Sequence, residues 1–242
     1  MKKLVLGALL VAAASSTACS PAPTDAVITA RWKFEHFSGG TVGGDDPCPP
    51  GFTTTSIHSK PWDPINNVTF GTEIIDKFNC SAKIGTTDPL DGIFLVWVQI
   101  ESDTGSTVYA QSERNYIDTI DGDVTLDFPL LDNAGFFFLT WDLADATRGN
   151  APITCEQAGI TKAGSVETHA TLVGTTALLT DKFTCNHYYG TTEPLPVGTY
   201  TVSVDVDDGT GSIGTAPALT NEHITAPNGL TDLGHITIPV TP

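Results

Sequence analysis

Asp76-Lys-Phe-Asn-Cys80, followed by Gly85-Thr-Thr-Asp-Pro-Leu90, returns as Asp181-Lys-Phe-Thr-Cys185, followed by Gly190-Thr-Thr-Glu-Pro-Leu195. Both blocks recur at one offset, 181 − 76 = 190 − 85 = 105, which makes the chain a tandem repeat. Its 242 residues give room for one large domain or two of roughly 100 residues, and the repeat selects two. Gly and Pro are plentiful (23 and 16) while Met occurs once, a composition that favours strands and turns over helices. An all-β fold is expected.

Working outward from the repeated block, each copy opens with an alternating strand. Ile28, Ala30, Trp32 and Phe34 share one face, with Thr29, Arg31 and Lys33 on the other; Phe137, Leu139, Trp141 and Leu143 are the second set. A Gly- and Pro-rich loop holding Cys48 (Cys155 in copy two) leads to strands near Thr53 to Ser59 and Ser165 to Val173. After the repeated block come Gly92 to Ile100 and Gly198 to Val206, an irregular stretch, and a last strand at Val124 to Leu130 or Ile236 to Val240. Six or seven short strands per copy suit a β-sandwich, with repeat 1 at 27–131 and repeat 2 at 135–242.

Four of the cysteines admit three pairings, and only Cys48 with Cys80 and Cys155 with Cys185 keeps each bridge inside its own copy. Loops of that size imply about 3 to 4 kcal/mol of chain-entropy stabilisation per bridge, large against the stability of a small domain. A Cys and His metal site is disfavoured because no CxxC or HxxxH spacing occurs.

The strands after the repeated block differ on one face. Phe94, Val96, Val98 and Ile100 match Tyr200, Val202, Val204 and Val206, so these positions face the core. On the opposite side copy two shows Thr199, Thr201, Ser203 and Asp205, whereas copy one shows Ile93, Leu95, Trp97 and Gln99. The apolar face of Ile93, Leu95 and Trp97 therefore needs a cover, either copy two or another protein. An insertion absent from copy two, Lys60 to Asn67, places Trp62 in a Pro-bounded polar loop. There it either stacks on a sugar or partner or folds back on its own core.

The N-terminus reads as an export signal: Lys2 and Lys3, an apolar run from Leu4 to Ala14 too short to span a bilayer, then small residues. Ser16-Thr17-Ala18-Cys19 resembles the lipobox of bacterial lipoproteins, with Ser16 where that family carries Leu. The resemblance implies removal of residues 1–18, lipidation of Cys19, a tether over 19–26, and, with Ser20 following, sorting to the outer membrane. A simple secretory signal cut near Ala18 is the alternative. Loss of Lys2 and Lys3 leaves 28 acids against 9 bases, a surface that repels nucleic acid and anionic headgroups.

Leu195-Pro-Val-Gly-Thr-Tyr-Thr-Val-Ser-Val204 resembles the end of transthyretin-like, carboxypeptidase-regulatory-like sandwich modules. It is also similar to the tyrosine-corner region of fibronectin type III and immunoglobulin-like domains. That resemblance implies tandem Ig-like or prealbumin-like sandwiches, with the Tyr200 hydroxyl pinning the chain before its strand; Phe94 cannot do the same in copy one. The overall plan resembles uncharacterised outer-membrane lipoproteins, a likeness that implies no activity.

No Gly-x-Ser-x-Gly elbow or zincin pattern occurs, and the six histidines sit in no motif; His58 and His169 fall near equivalent positions. Asp205-Val-Asp-Asp-Gly misses calcium-loop spacing by one residue and reads better as a hairpin turn. Asp76-Lys77 and Asp181-Lys182, present in both copies, point to a structural task such as satisfying backbone groups. The sequence thus predicts no catalytic residue, metal or cofactor. It predicts a lipid-anchored, non-enzymatic envelope module whose partner, besides the membrane through Cys19, is a protein or a glycan. The alternative is a carbohydrate-binding or carbohydrate-active surface protein using Trp62 and nearby carboxylates.

Overall fold

The computed structural model describes residues 26–38, 41–63, 68–225 and 229–242. Cys19, the signal over 1–18 and the tether up to residue 25 lie outside them. The first repeat comprises β1 (Ile28–Ser38), β2 (Thr41–Asp46), β3 (Thr54–Asp63), β4 (Val68–Thr69), β5 (Ile74–Asn79), β6 (Ile84–Thr86), β7 (Ile93–Glu101), β8 (Val108–Gln111), β9 (Asn115–Asp118) and β10 (Val124–Leu131). The second comprises β11 (Ala134–Asp145), β12 (Ala151–Ile153), β13 (Val166–Leu172), β14 (Leu178–Phe183), β15 (Tyr189–Thr191), β16 (Leu195–Pro196), β17 (Gly198–Asp207), β18 (Ser212–Thr215), β19 (Leu219–Ile224) and β20 (Gly229–Val240).

Each repeat is a β-sandwich around a core of its own. In the first, β1 pairs in parallel with β10 and antiparallel with β2 and β6. The facing sheet centres on β3 and β7, with β5 at one edge and β8 and β9 at the other. The second repeat has the same central pairings, with β11 parallel to β20 and β13 paired to β14 and β17, but β18 pairs with both β17 and β20 and joins its strands into one curled sheet. The inward positions of the alternating strands close over Trp32 in one core and Trp141 in the other, both fully buried. Burying an aromatic that size dominates a small core.

Three differences from the sequence reading have a common cause. The Gly-rich loops carry β2 and β12, the irregular stretch after Asp103 carries β8 and β9, and β20 starts at Gly229 rather than Ile236. The short edge strands lack apolar alternation and are ordered by pairing with a neighbour, and the polar start of the longer β20 is likewise ordered by its ladder to β11, from Gly229 opposite Gly135 onward.

The repeated block explains itself at atomic level. The bridges are Cys48–Cys80 and Cys155–Cys185. Above each, the indole N–H donates to a cysteine carbonyl: Trp32 to Cys80 at 2.9 Å, Trp141 to Cys185 at 3.1 Å. Thr87 Oγ1 accepts from Ile28 N, and Thr192 Oγ1 from Phe137 N. Asp181 Oδ1 accepts from Glu193 N at 2.8 Å, and Asp76 Oδ1 from Asp88 N at a longer 3.5 Å. A Cβ on Gly85 or Gly190 would lie 2.6 Å from the ring of Phe78 or Phe183, so only glycine lets that ring seat. The block is a staple that ties the edge strand to the first strand.

Tyr200 Oη donates to Pro196 O at 2.7 Å, the tyrosine corner that Phe94 cannot form. The link between repeats is also pinned: Asn133 Oδ1 accepts from Phe37 N, its Nδ2 donates to Phe37 O, and Asp132 lies 2.9 Å from His36 Nδ1.

Candidate binding site at the repeat junction

The outer face of β7 meets the outer face of β11 and β20. Trp62, Leu95 and Trp97 (4, 2 and 7 % exposed) form one apolar cluster with Phe138, flanked by Ile93, Tyr116, Tyr189 and Leu230. Of the two covers open to this face, repeat 2 is the one present. Trp62 is correspondingly not in an open polar loop: it lies in the last residue pairs of β3, opposite Thr69, and meets Tyr189 edge-on at 5.9 Å. Trp62, Leu95 and Trp97 are buried and Ile93 is partly buried at this junction, so as a binding surface for another protein or a sugar they are not open to solvent.

Arg114, in the turn before β9, ties the two faces. Its guanidinium carbon is 5.1 Å from the Trp97 ring centroid and 4.7 Å from that of Phe138, while Nη1 reaches Asp232 Oδ2 at 3.3 Å. Trp97 Nε1 and Arg114 Nε are buried and make no hydrogen bond among the described residues, so ring faces and the Asp232 pair hold the stack. Thr191 Oγ1 closes the same corner by donating to Arg114 O. Nothing in the sequence marks Arg114, which sits between short strands without periodicity.

Carboxylates line the junction's rim. Burial pushes the Glu113 carboxyl above its ordinary range, Asn115 opposes this with a hydrogen bond, and the charge of Glu193 adds to the rise. Asp181 is raised by burial too, against the Glu193 N–H it accepts and with the Glu193 charge beside it. Burial likewise raises the Tyr189 phenol.

Trp62 separates two recesses. The larger, about 360 Å3, is bounded by Val68, Leu95, Phe138, Arg114, Asp232 and His235 among others. The smaller, about 240 Å3, is walled by Trp62 and Tyr116 of repeat 1 and Asn186, His187 and Tyr189 of repeat 2.

A second polar cluster lies on the β3–β7 face. His58 stacks on Trp97 at 5.0 Å and 12°, with Nδ1 2.5 Å from Glu73 Oε1 and Nε2 2.9 Å from Ser56 Oγ. The connectivity resembles a serine–histidine–carboxylate relay, but its polarity is opposite. A nucleophilic serine gives its proton to histidine, whereas Ser56 donates to Glu101 Oε1 at 2.5 Å. Ser56 also has no exposed surface for a substrate to approach. Burial alone would raise the Glu101 carboxyl, yet the Ser56 hydroxyl, the Lys77 ammonium at 3.1 Å and the charge of His58 hold it below its ordinary value. His169 occupies the equivalent register, opposite Ser203 and Thr180 as His58 is opposite Trp97 and Ile75, and pairs with Asp205 at 3.1 Å.

Among the described residues no group of three or more His, Cys, Asp or Glu is placed to hold a metal. In the acidic turn after β17, Asp207 and Asp208 accept backbone N–H groups of Gly209, Thr210 and Gly211, so their oxygens shape the turn.

No protein-family model matches the chain, and no curated protein matches it. Solved structures similar to it include a leucine-rich repeat protein from Bacteroides thetaiotaomicron, at 11 % identity and a TM-score of 0.35, covering 89 % of this chain and 26 % of that one. Another is GBS52, the minor pilin of Streptococcus agalactiae, at 10 % identity and a TM-score of 0.28, covering 90 % of this chain and 98 % of that one. The pilus adhesin SpaC from Lactobacillus rhamnosus GG aligns at 11 % identity and a TM-score of 0.27, covering 89 % and 28 %. The chain thus spans about a quarter of the leucine-rich repeat protein.

Proposed function

We propose that the chain is a lipid-anchored, non-enzymatic module of the bacterial cell envelope, held at the outer membrane through Cys19 and working as a structural or binding unit. The observation that carries the reading is the destination of the shared side chains. Trp32 and Trp141, Thr87 and Thr192, Asp76 and Asp181 each make a hydrogen bond to a backbone group of their own repeat. What the copies have in common is scaffold, and what they do not share gathers where they meet. The reversed polarity and burial at Ser56 support the non-enzymatic part. Two disulfides suit an oxidising compartment.

Expression of the full chain in a Gram-negative host with labelled palmitate tests the anchor. The label should enter the wild type, be absent from Cys19→Ser, and the variant should shift from the membrane to the soluble fraction. An unlabelled wild type in the soluble fraction would overturn the anchor. Hydrolysis of ester or glycoside substrates by the purified protein would overturn the non-enzymatic part.

A further inference from the structure

The smaller recess beside Trp62 has a lining unlike anything else on the molecule's shared scaffold. Tyr116, Tyr189 and His187 form a near-parallel slab, with centroids 5.8 Å and 6.1 Å apart and planes inclined by 21° and 18°. Trp62 meets Tyr189 at 69°, so the aromatic surface turns a corner. The strand registers place Val173 opposite to Trp62 in the repeat alignment and Thr220 opposite to Tyr116. Asn186, His187 and Tyr189 align with Ser81, Ala82 and Ile84. None of these counterparts is aromatic, so the fold common to both repeats does not require the rings.

The recess belongs to both repeats and exists only when they are docked. Its five walls carry no carboxylate, ammonium or guanidinium, in a chain of net charge −17. An anion would find no counter-charge. A quaternary ammonium would need ring faces around it, but Tyr116 and Tyr189 lie against one another and cannot enclose one. What remains is a neutral ligand with one apolar face for the rings and hydroxyls for the Asn186 amide, the phenols and the His187 ring. Its volume, about 240 Å3, falls below the ~300–1,000 Å3 of sites for drug-sized ligands, which leaves space for one ring rather than a chain.

We propose that this recess binds a single neutral sugar ring, a claim that rests on the binding-unit reading above and names its ligand class. Asn186 and His187 are exposed and make the polar contacts; Tyr116, Tyr189 and an edge of Trp62 supply the walls. Trp62 is a wall rather than the stacking platform, since it is only 4 % exposed.

The test is titration of the full, disulfide-bonded chain, followed by tryptophan emission and protein NMR shifts, with the methyl glycosides of glucose, galactose, mannose and N-acetylglucosamine and with choline chloride. At least one glycoside should saturate, with its affinity reduced about tenfold or more in Asn186→Ala and His187→Ala at unchanged melting temperature. No saturation by any glycoside, saturation unaffected by both substitutions, or saturation by choline alone would each overturn the sugar site while leaving the envelope-module reading intact. Cleavage of a bound oligosaccharide that is lost in the same variants would support the recess and overturn the non-enzymatic reading.

Discussion

The guanidinium of Arg114 is sandwiched between Trp97 of one repeat and Phe138 of the other, 5.1 and 4.7 Å from their centroids, and bonded to Asp232 at 3.3 Å. One side chain from a short turn thereby couples two cores that each have their own disulfide. Arg114→Ala is expected to cost about 1 to 3 kcal/mol, from two cation–π contacts and an ion pair, and to split a single calorimetric transition into two. Arg114→Lys should recover under half of this, because a compact ammonium cannot lie flat between two rings. Asp232→Ala, at a half-exposed carboxylate, should cost under about 1 kcal/mol.

Gly85 and Gly190 should be intolerant to the same degree. A methyl at either lies 2.6 Å from a phenyl carbon, so Gly85→Ala and Gly190→Ala should each destabilise by about 1 to 3 kcal/mol in urea titrations. Pairing Gly85→Ala with Phe78→Leu should recover part of that loss. Additive effects in the double variant would count against ring overlap as the cause.

Trp32→Phe and Trp141→Phe keep an aromatic in each core but remove the donor to the carbonyl of Cys80 or Cys185. Each change should cost about 2 to 4 kcal/mol, the lost indole volume together with an unsatisfied buried carbonyl. Matched losses in the two repeats, measured by chemical denaturation, are the expected result.

Much of this scaffold is legible in the sequence, because the residues concerned sit in the repeated block or in strands of strict alternation. Trp32, Trp141, the cysteine pairs and the Asp-Lys pairs declare themselves by recurring. The junction is legible on one side only. Ile93, Leu95 and Trp97 stand out as an apolar face where copy two is polar, but their cover, Phe138, is hidden in the continuous apolar run from Phe136 to Leu139, where inward and outward positions look alike. Arg114, Tyr116 and Tyr189 come together only through tertiary packing across about 75 residues of chain, and no local period records that.

Stability should depend on pH in two opposed ways. Asp181, Asp76 and Glu113 have carboxyls raised by burial, so the folded chain holds their protons more tightly than the unfolded chain does. Their contribution is lost as pH rises from ordinary values near 3.8, 3.8 and 4.5 through the raised ones. Glu101 is lowered, and its contribution is present above its ordinary 4.5 and lost as pH falls below. Asp181→Asn keeps an oxygen for the Glu193 N–H and removes the charge, so it should flatten the fall in urea midpoint as pH rises above the ordinary carboxylate value of about 3.8. An unchanged slope would rule out Asp181 as a contributor.

The contact between repeats joins unlike faces, the outer side of β7 to the outer side of β11, and an unlike contact can in principle be extended indefinitely. Here each free end is written differently. Where Phe138 stands in the second repeat the first has Thr29, followed outward by Arg31 and Lys33; where the first has Ile93, Leu95 and Trp97 the second has Thr199, Thr201 and Ser203. At these positions a further unit would meet polar side chains, with scattered apolar ones such as Ile84 and Val173 beside them rather than a continuous apolar face. The apolar face that docks one repeat on the other is thus offered once, and the six outward-facing side chains Thr29, Arg31, Lys33, Thr199, Thr201 and Ser203 are what the free ends present in its place.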